Sequence, residues 1–286
     1  MSTTTARLIG MGLLTGALLV TAWAKGALAG GRAHRKAAER FAARTGLPAE
    51  AVDDQLARRV VRRHRLVVVG IWAGLVTASL LGTSWALGYV GLAFGAVADR
   101  LLGHPAAPNA PRTAHGRDTR ITDYVPGWLL AAVGLAVLCA GTLAVCWAAA
   151  PRLPPDASHY DLPPEQSVGL VVSLVAGAAG SAALTRLVVH RAQPVASAAE
   201  LAVDDALRSQ AVRDALHLAT AAAVATALAF ATALNAQAAD SSLRAVAGWT
   251  PIAFLVALAV VGTWHEAVRG PAYWRSRLHP EPAATR

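Results

Sequence analysis

The stretch "LVVVGIWAGLVTASLLGTSWALGYVGLAFGAVA", Leu66 to Ala98, runs for 33 residues without a charged side chain. A membrane-spanning helix needs about 20 mostly apolar residues, so this stretch is too long for one ordinary span. It has a natural break at "LGTSW", Leu81 to Trp85. Two tilted helices, 62–81 and 85–103, fit it, with Asp99 and Arg100 at the interface. How many times this stretch crosses decides the side of every other loop.

Five further apolar runs reach spanning length: 7–29, 128–150, 168–190, 216–237 and 247–265. With Leu66–Ala98 counted as two helices, the chain has seven spans and an outside N-terminus. The inside segments are then 30–65, 99–127, 191–214 and the C-terminal tail. They hold 21 of the basic residues, and the outside segments hold 3: Arg7, Arg152 and Arg244. Cytoplasmic loops carry the excess of Lys and Arg, so the two-helix reading satisfies the positive-inside rule. A single helix there turns basic loops to the wrong side. Trp23, Trp85, Trp128, Trp147, Trp249 and Trp264 fall near the proposed helix ends, where indole rings prefer to sit. Trp72 fits less well.

The composition agrees. The chain has 286 residues, 55% of them hydrophobic and 15% charged, where a soluble domain carries about 25% charge. The net charge of +9 is compatible with nucleic-acid binding. The arginines cluster at the ends of apolar runs, however, which is the pattern of membrane orientation, and no nucleic-acid partner is expected. Nearly all the basic residues are Arg, and with so much Ala and Gly this suggests a GC-rich bacterial genome. "ALAG", Ala27 to Gly30, resembles a signal-peptide cleavage site, but Lys25, Arg32, Arg35 and Lys36 lie around or after the apolar core and only Arg7 precedes it. A cleaved signal has the opposite polarity, so the first run is expected to stay as a span.

One phrase occurs twice. "AVDDQLARRVVR", Ala51 to Arg62, returns 151 positions later as "AVDDALRSQAVR", Ala202 to Arg213, with seven of twelve positions identical. Each copy precedes an inside-to-outside helix and follows an outside-to-inside one. The expectation is two parallel three-span units joined by an odd connector helix, as in transporters built from parallel repeats. The first unit covers 1–127 with its Arg-rich cytoplasmic loop 30–65, the connector is 128–150, and the second unit covers 151–286. Each phrase reads as a cytoplasmic helix feeding into the membrane. Ser197 with Glu200 spells a capping box, and Pro48 suits a first helical turn. Acids come early and arginines late, which complements the helix dipole. Asp54/Arg58 and Asp204/Arg208 are spaced for i,i+4 pairs. The expected docking faces for a cytoplasmic partner are therefore Asp53, Asp54, Arg58 and Arg62, and Asp204, Asp205, Arg208 and Arg213.

Small residues recur four apart at Gly12/Gly16, Gly70/Gly74, Gly91/Gly95 and Gly177/Ser181, a spacing that lets helices approach closely in lipid. "GAAGSAA", Gly177 to Ala183, is the flattest of these faces. Ionisable residues at mid-membrane would mark an ion path, and none is found; Lys25 and Arg186 lie near helix ends and can snorkel, and Asn235 also lies near an end. His265–Glu266 has no second His at metalloprotease spacing, and His190 and His217 are expected in water. Cys139 and Cys146 lie about 10 Å apart along one helix, too far for a disulfide, and are expected as small buried thiols. No phosphate loop or nucleophile elbow occurs. No catalytic, cofactor-binding or metal-binding residue is expected.

The Arg-rich first loop, "DYVPGW" before a helix and "VDDALRSQAVR" before another together resemble uncharacterised multi-pass integral membrane proteins of actinobacteria. That resemblance implies a membrane location and no particular activity. The three-one-three layout with the N-terminus outside is also similar to SWEET-type sugar transporters, without their proline-containing helix pattern. The expectation is an all-α polytopic transmembrane bundle of about seven spans in the bacterial plasma membrane, with the C-terminus cytoplasmic. It is expected to be a non-enzymatic component working through a cytoplasmic partner such as a separate ATPase, as a transporter-associated subunit or assembly factor. The alternative is a self-sufficient small-solute transporter with a path between the repeat units.

Overall fold

In the computed structural model, the described residues are 31–80, 119–149, 162–191, 197–237 and 273–279. They are helical throughout, and no strand occurs among them. The chain divides into two compact units. One comprises 1–114 and 193–206, the other 115–192 and 207–286.

In the first unit, α1 (Gly31–Thr45) packs against α2 (Asp54–Leu80). Helix α1 buries Ala37, Ala38, Phe41, Ala42 and Thr45 and exposes its charges. It ends because Gly46 adopts a positive φ of 66°, a conformation that glycine enters without steric penalty. The Leu47 N–H then donates back to the Ala42 carbonyl at 2.9 Å, as in a Schellman ending, and Leu47 is buried. The Thr45 hydroxyl donates to the Phe41 carbonyl at 2.8 Å, which gives the buried hydroxyl a partner. Pro48 starts a 3₁₀ turn, Ala49–Ala51, and not the helix expected there. Helix α2 begins later, where the Asp53 carboxylate accepts the Leu56 N–H at 2.6 Å. An Asp cap satisfies a free N–H at the helix start, whereas Pro can only tolerate its own missing donor. Leu56, Ala57, Val60 and Val61 form the buried stripe of α2.

The second unit contains α3 (Ile121–Tyr124), α4 (Gly127–Ala149), α5 (Pro164–His190), most of α6 (Ala198–Gln237) and α7 (Tyr273–Leu278). "RITDYVPGW" forms a short helix, a corner and a helix start. Arg120 N–H donates to the Asp123 carboxylate at 2.8 Å, and Pro126 then begins α4, accepting the Leu129 N–H at 3.0 Å. Tyr124 and Val125 are fully buried in that corner. The Tyr273 hydroxyl of α7 donates to the Thr122 carbonyl at 2.8 Å, and Trp274 beside it is 1% exposed.

Helices α4, α5 and α6 share one apolar core built largely from small side chains. Ala136 and Ala140 of α4 meet Leu174 of α5 and Ala223 and Ala227 of α6. A second cluster joins Leu162, Phe230 and Ala233, with Trp147 packed against it. The rings of Trp147 and Phe230 lie 6.4 Å apart. Gly177 sits at a close approach of α5 and α6: a Cβ there would fall 2.7 Å from the Ala222 methyl. The small-residue face Gly177/Ser181 is thus a helix-packing surface, and both residues are buried.

Among the described residues, three helices are long and apolar enough to cross a membrane: α4, α5 and the Ala198–Asn235 stretch of α6. They cover 128–149, 168–190 and 216–235 of the expected spans 128–150, 168–190 and 216–237. The last is the second half of one continuous 40-residue helix. The expected span 62–81 falls on α2, whose described uncharged part, 66–80, is 15 residues, short of the roughly 20 a crossing needs. Expected spans 7–29, 85–103 and 247–265, and the break at Leu81–Trp85, lie outside the described residues.

Only 17% of the apolar window of α4 and 22% of that of α5 is buried in the protein, against 56% for α6. Leu138, Val145, Val168, Val172 and Val175 are all more than half exposed. Apolar surface of that extent is stable only against another apolar phase. Cys146 lies on this outward side and Cys139 is half-buried; both are free thiols. The expectation of two buried thiols is corrected. Helix α4 is apolar all round, so its pattern does not say which side packs.

Candidate functional site

The described residues of the first unit form an open cleft of about 200 Å³, lined by Glu50, Ala51, Asp53, Gln55, Leu56 and Arg59 from the start of α2 and by Ser197, Ala199, Glu200 and Val203 from the start of α6. The first copy of the repeated phrase therefore meets the residues that lead into the second. Two capped helix starts build the cleft. Asp53 caps α2, and the Ser197 hydroxyl accepts the Glu200 N–H at 3.1 Å to cap α6. The acceptor half of the expected capping box is formed. The Glu200 carboxylate also reaches across to the Arg59 guanidinium, 3.3 Å away. The two side chains of this pair are 17% and 29% exposed, and the pair links residues 141 positions apart in sequence. It is worth about 1 kcal/mol, since a pair open to water gains little beyond that.

The expected docking residues separate into two groups. Asp53 and Asp54 are exposed, as is Arg58, and Arg62 is half-buried. Asp204 is half-buried, while Asp205, Arg208 and Arg213 are buried, Asp205 completely. Arg208 has a defined role. Its guanidinium donates to the carbonyls of Val188 at 3.2 Å, Val189 at 3.0 Å and Arg191 at 2.7 Å. Those acceptors close the C-terminal turn of α5, where carbonyls lack helical partners and the helix dipole favours a cation. The neighbouring Ser209 donates to the Tyr124 carbonyl at 2.8 Å. The second phrase thus fastens α5 and the α3–α4 corner to α6.

Sequence reasoning missed Arg59 and gave Glu200 only its capping role. No local spacing signals their pairing, because it joins two distant helix starts. In the cleft, the polar groups already engaged hold the helices in place. Exposed Glu50 and Asp54 and half-buried Gln55 remain on its rim and beside it. No grouping of three or more His, Cys, Asp or Glu suited to a metal ion occurs among the described residues. His190 and His217 are both exposed. No family model, curated protein or solved structure matches this chain.

Proposed function

We propose that this chain is a multi-pass component of the bacterial plasma membrane that works by binding a cytoplasmic partner at the cleft beside Asp53, Asp54 and Arg58. The observation that carries the proposal is the meeting of two capped, charged helix starts, bridged by Arg59 and Glu200, on helices that continue into apolar segments. Glu50, Asp53, Asp54 and Glu200 give this patch an acidic character in a chain of net charge +9. It suits a partner that presents a basic segment, such as a separate ATPase. Charge complementarity of this kind steers docking and sets specificity.

The wider topology is part of the proposal: about seven spans in two parallel three-span units joined by α4, with the N-terminus outside and the C-terminus cytoplasmic. The asymmetry of 21 basic residues against 3 supports it. Helix α6, 40 residues and about 60 Å long by its rise, exceeds the bilayer core. Its charged first half, Ala198 to Asp214, then stands in the cytoplasm.

The test is cross-linking in native membranes followed by affinity capture of the full chain. Charge reversal at the exposed positions (Glu50→Arg with Asp54→Arg and Arg58→Glu) is expected to abolish recovery of the partner ATPase while leaving the helical content unchanged. Undiminished recovery refutes the docking face. Solute flux through liposomes holding only the purified chain would refute the partner-dependent reading and favour a self-sufficient transporter.

A further inference from the structure

Helix α1 has a charged side that its own packing leaves uncovered. Arg32, Lys36, Arg40 and Arg44 recur at every fourth position and are all exposed. Residues four apart lie one above the other on a helix, so these four form a single row along its length. From the first to the last, the row covers about 18 Å. The opposite side of α1, through Ala37, Ala38, Phe41 and Ala42, is buried, and α1 packs on α2. The one carboxylate of the helix, Glu39, stands outside the row and pairs with Arg35 at 3.5 Å, both well exposed. Arg40 makes a contact of its own, and Arg32, Lys36 and Arg44 leave the row a cationic edge.

Its position gives it a counterpart. The buried apolar stripe of α2 ends at Val61, with Arg63 buried just beyond it. The uncharged stretch of the same helix begins at Leu66, five residues and about 8 Å further along the axis. If α2 enters lipid there, the stripe Leu56–Val61 on which α1 packs lies about 8–15 Å from the headgroup plane, one to two Debye lengths. We infer that Arg32, Lys36 and Arg44 rest on the phosphates of anionic lipid headgroups and fix the height of the α1–α2 hairpin at the membrane surface. An amphipathic helix normally buries its apolar face in the bilayer. Here that face is spent on α2, so the contact is electrostatic and selects lipids by charge. This inference rests on the membrane location proposed above, but not on the docking cleft.

The test uses the full chain in a nonionic detergent and counts retained lipid by native mass spectrometry, with phosphatidylglycerol titrated against phosphatidylcholine. The wild-type chain should prefer phosphatidylglycerol. Arg32→Gln/Lys36→Gln/Arg44→Gln should reduce that preference roughly 100-fold, from the affinity each basic residue typically adds near an anionic surface. The charge-keeping variant Arg32→Lys/Arg44→Lys should retain most of it, and this also guards against a folding defect in the triple variant. Equal retention of the two lipids by the wild-type and Lys-substituted chains overturns the inference. So does an unchanged preference in the triple variant. Nucleic acid that co-purifies with the wild type and is lost in the triple variant, without a lipid preference, overturns it in favour of a different polyanion. A chain recovered from cells without detergent would instead refute the membrane location itself.

Discussion

The two copies of one phrase share the buried apolar positions of their later part and differ in where their charges lie. Leu56 and Leu207 are both buried, as are Val61 and Val212. The charges between them diverge. Asp54 is exposed where its counterpart Asp205 is fully buried, and half-buried Arg62 corresponds to buried Arg213. Asp53 caps a new helix, while Asp204 lies within a helix that began at Ala198. The lesson is that apolar positions follow the helical period and keep their burial wherever such a helix packs. Charged positions answer to whatever neighbour arrives. For the second copy that neighbour is the open end of α5, whose carbonyls make a buried arginine favourable.

The sharpest way to break this contrast is Arg208→Ala. It strands the carbonyls of Val188, Val189 and Arg191 and should lower stability by about 3 kcal/mol, because a lost charged donor leaves buried acceptors unsatisfied. Unfolding in mixed detergent micelles followed by circular dichroism measures it. A change below about 1 kcal/mol would mean that Arg208 is an ornament of the α5 terminus and not its clasp. Gly177→Ala acts on the same pair of helices from further along. The added methyl meets Ala222 and must push α5 from α6, which should cost about 2 kcal/mol. Thermal unfolding of the detergent-solubilised protein would show it.

Smaller effects discriminate between aligned residues. Asp53→Ala removes a helix cap and should destabilise by about 1 kcal/mol. Asp204→Ala keeps a helix-interior position and gains helix propensity, so its capping loss is zero; hydrogen exchange at Leu56 and Leu207 reads the two cases side by side. Equal fraying at both sites would contradict the different helix starts. A double-mutant cycle of Arg59→Gln and Glu200→Gln should give a coupling of about 0.5–1 kcal/mol. A coupling of zero would remove the bridge across the cleft. Asp54→Ala and Arg58→Ala, both exposed, should change stability by less than about 0.5 kcal/mol each, leaving them free to act in partner capture.

Much of the local structure was legible. The apolar runs around Trp128–Trp147 and Leu170–Val189 became α4 and α5, two helices long and apolar enough to cross a membrane, with Arg186 the one charge within these runs and near the end of its helix. Ser197 was readable as a cap from its type and its place before Glu200. Gly177 was readable as a contact point from its spacing to Ser181. Of the expected docking residues only Asp53 lines the cleft, and the partnership of Arg59 with Glu200 was not legible. Cys146 was misjudged because a helix that is apolar on all sides carries no mark of its packed side. Pro48 was misjudged because a proline suited to a helix start suits a 3₁₀ turn equally well.

Whereas α1 formed in a stretch expected as an Arg-rich loop, what could be determined from residue order alone were α4, α5 and the second half of α6 with their lipid-compatible character, and the Ser197 cap. Each depends on neighbours within a few turns of chain. Folding in three dimensions settled which charges are buried, which carbonyls Arg208 closes and where the acidic cleft forms. Those outcomes join segments separated by tens to more than a hundred residues, and the energy of a charge is set by the groups around it in space.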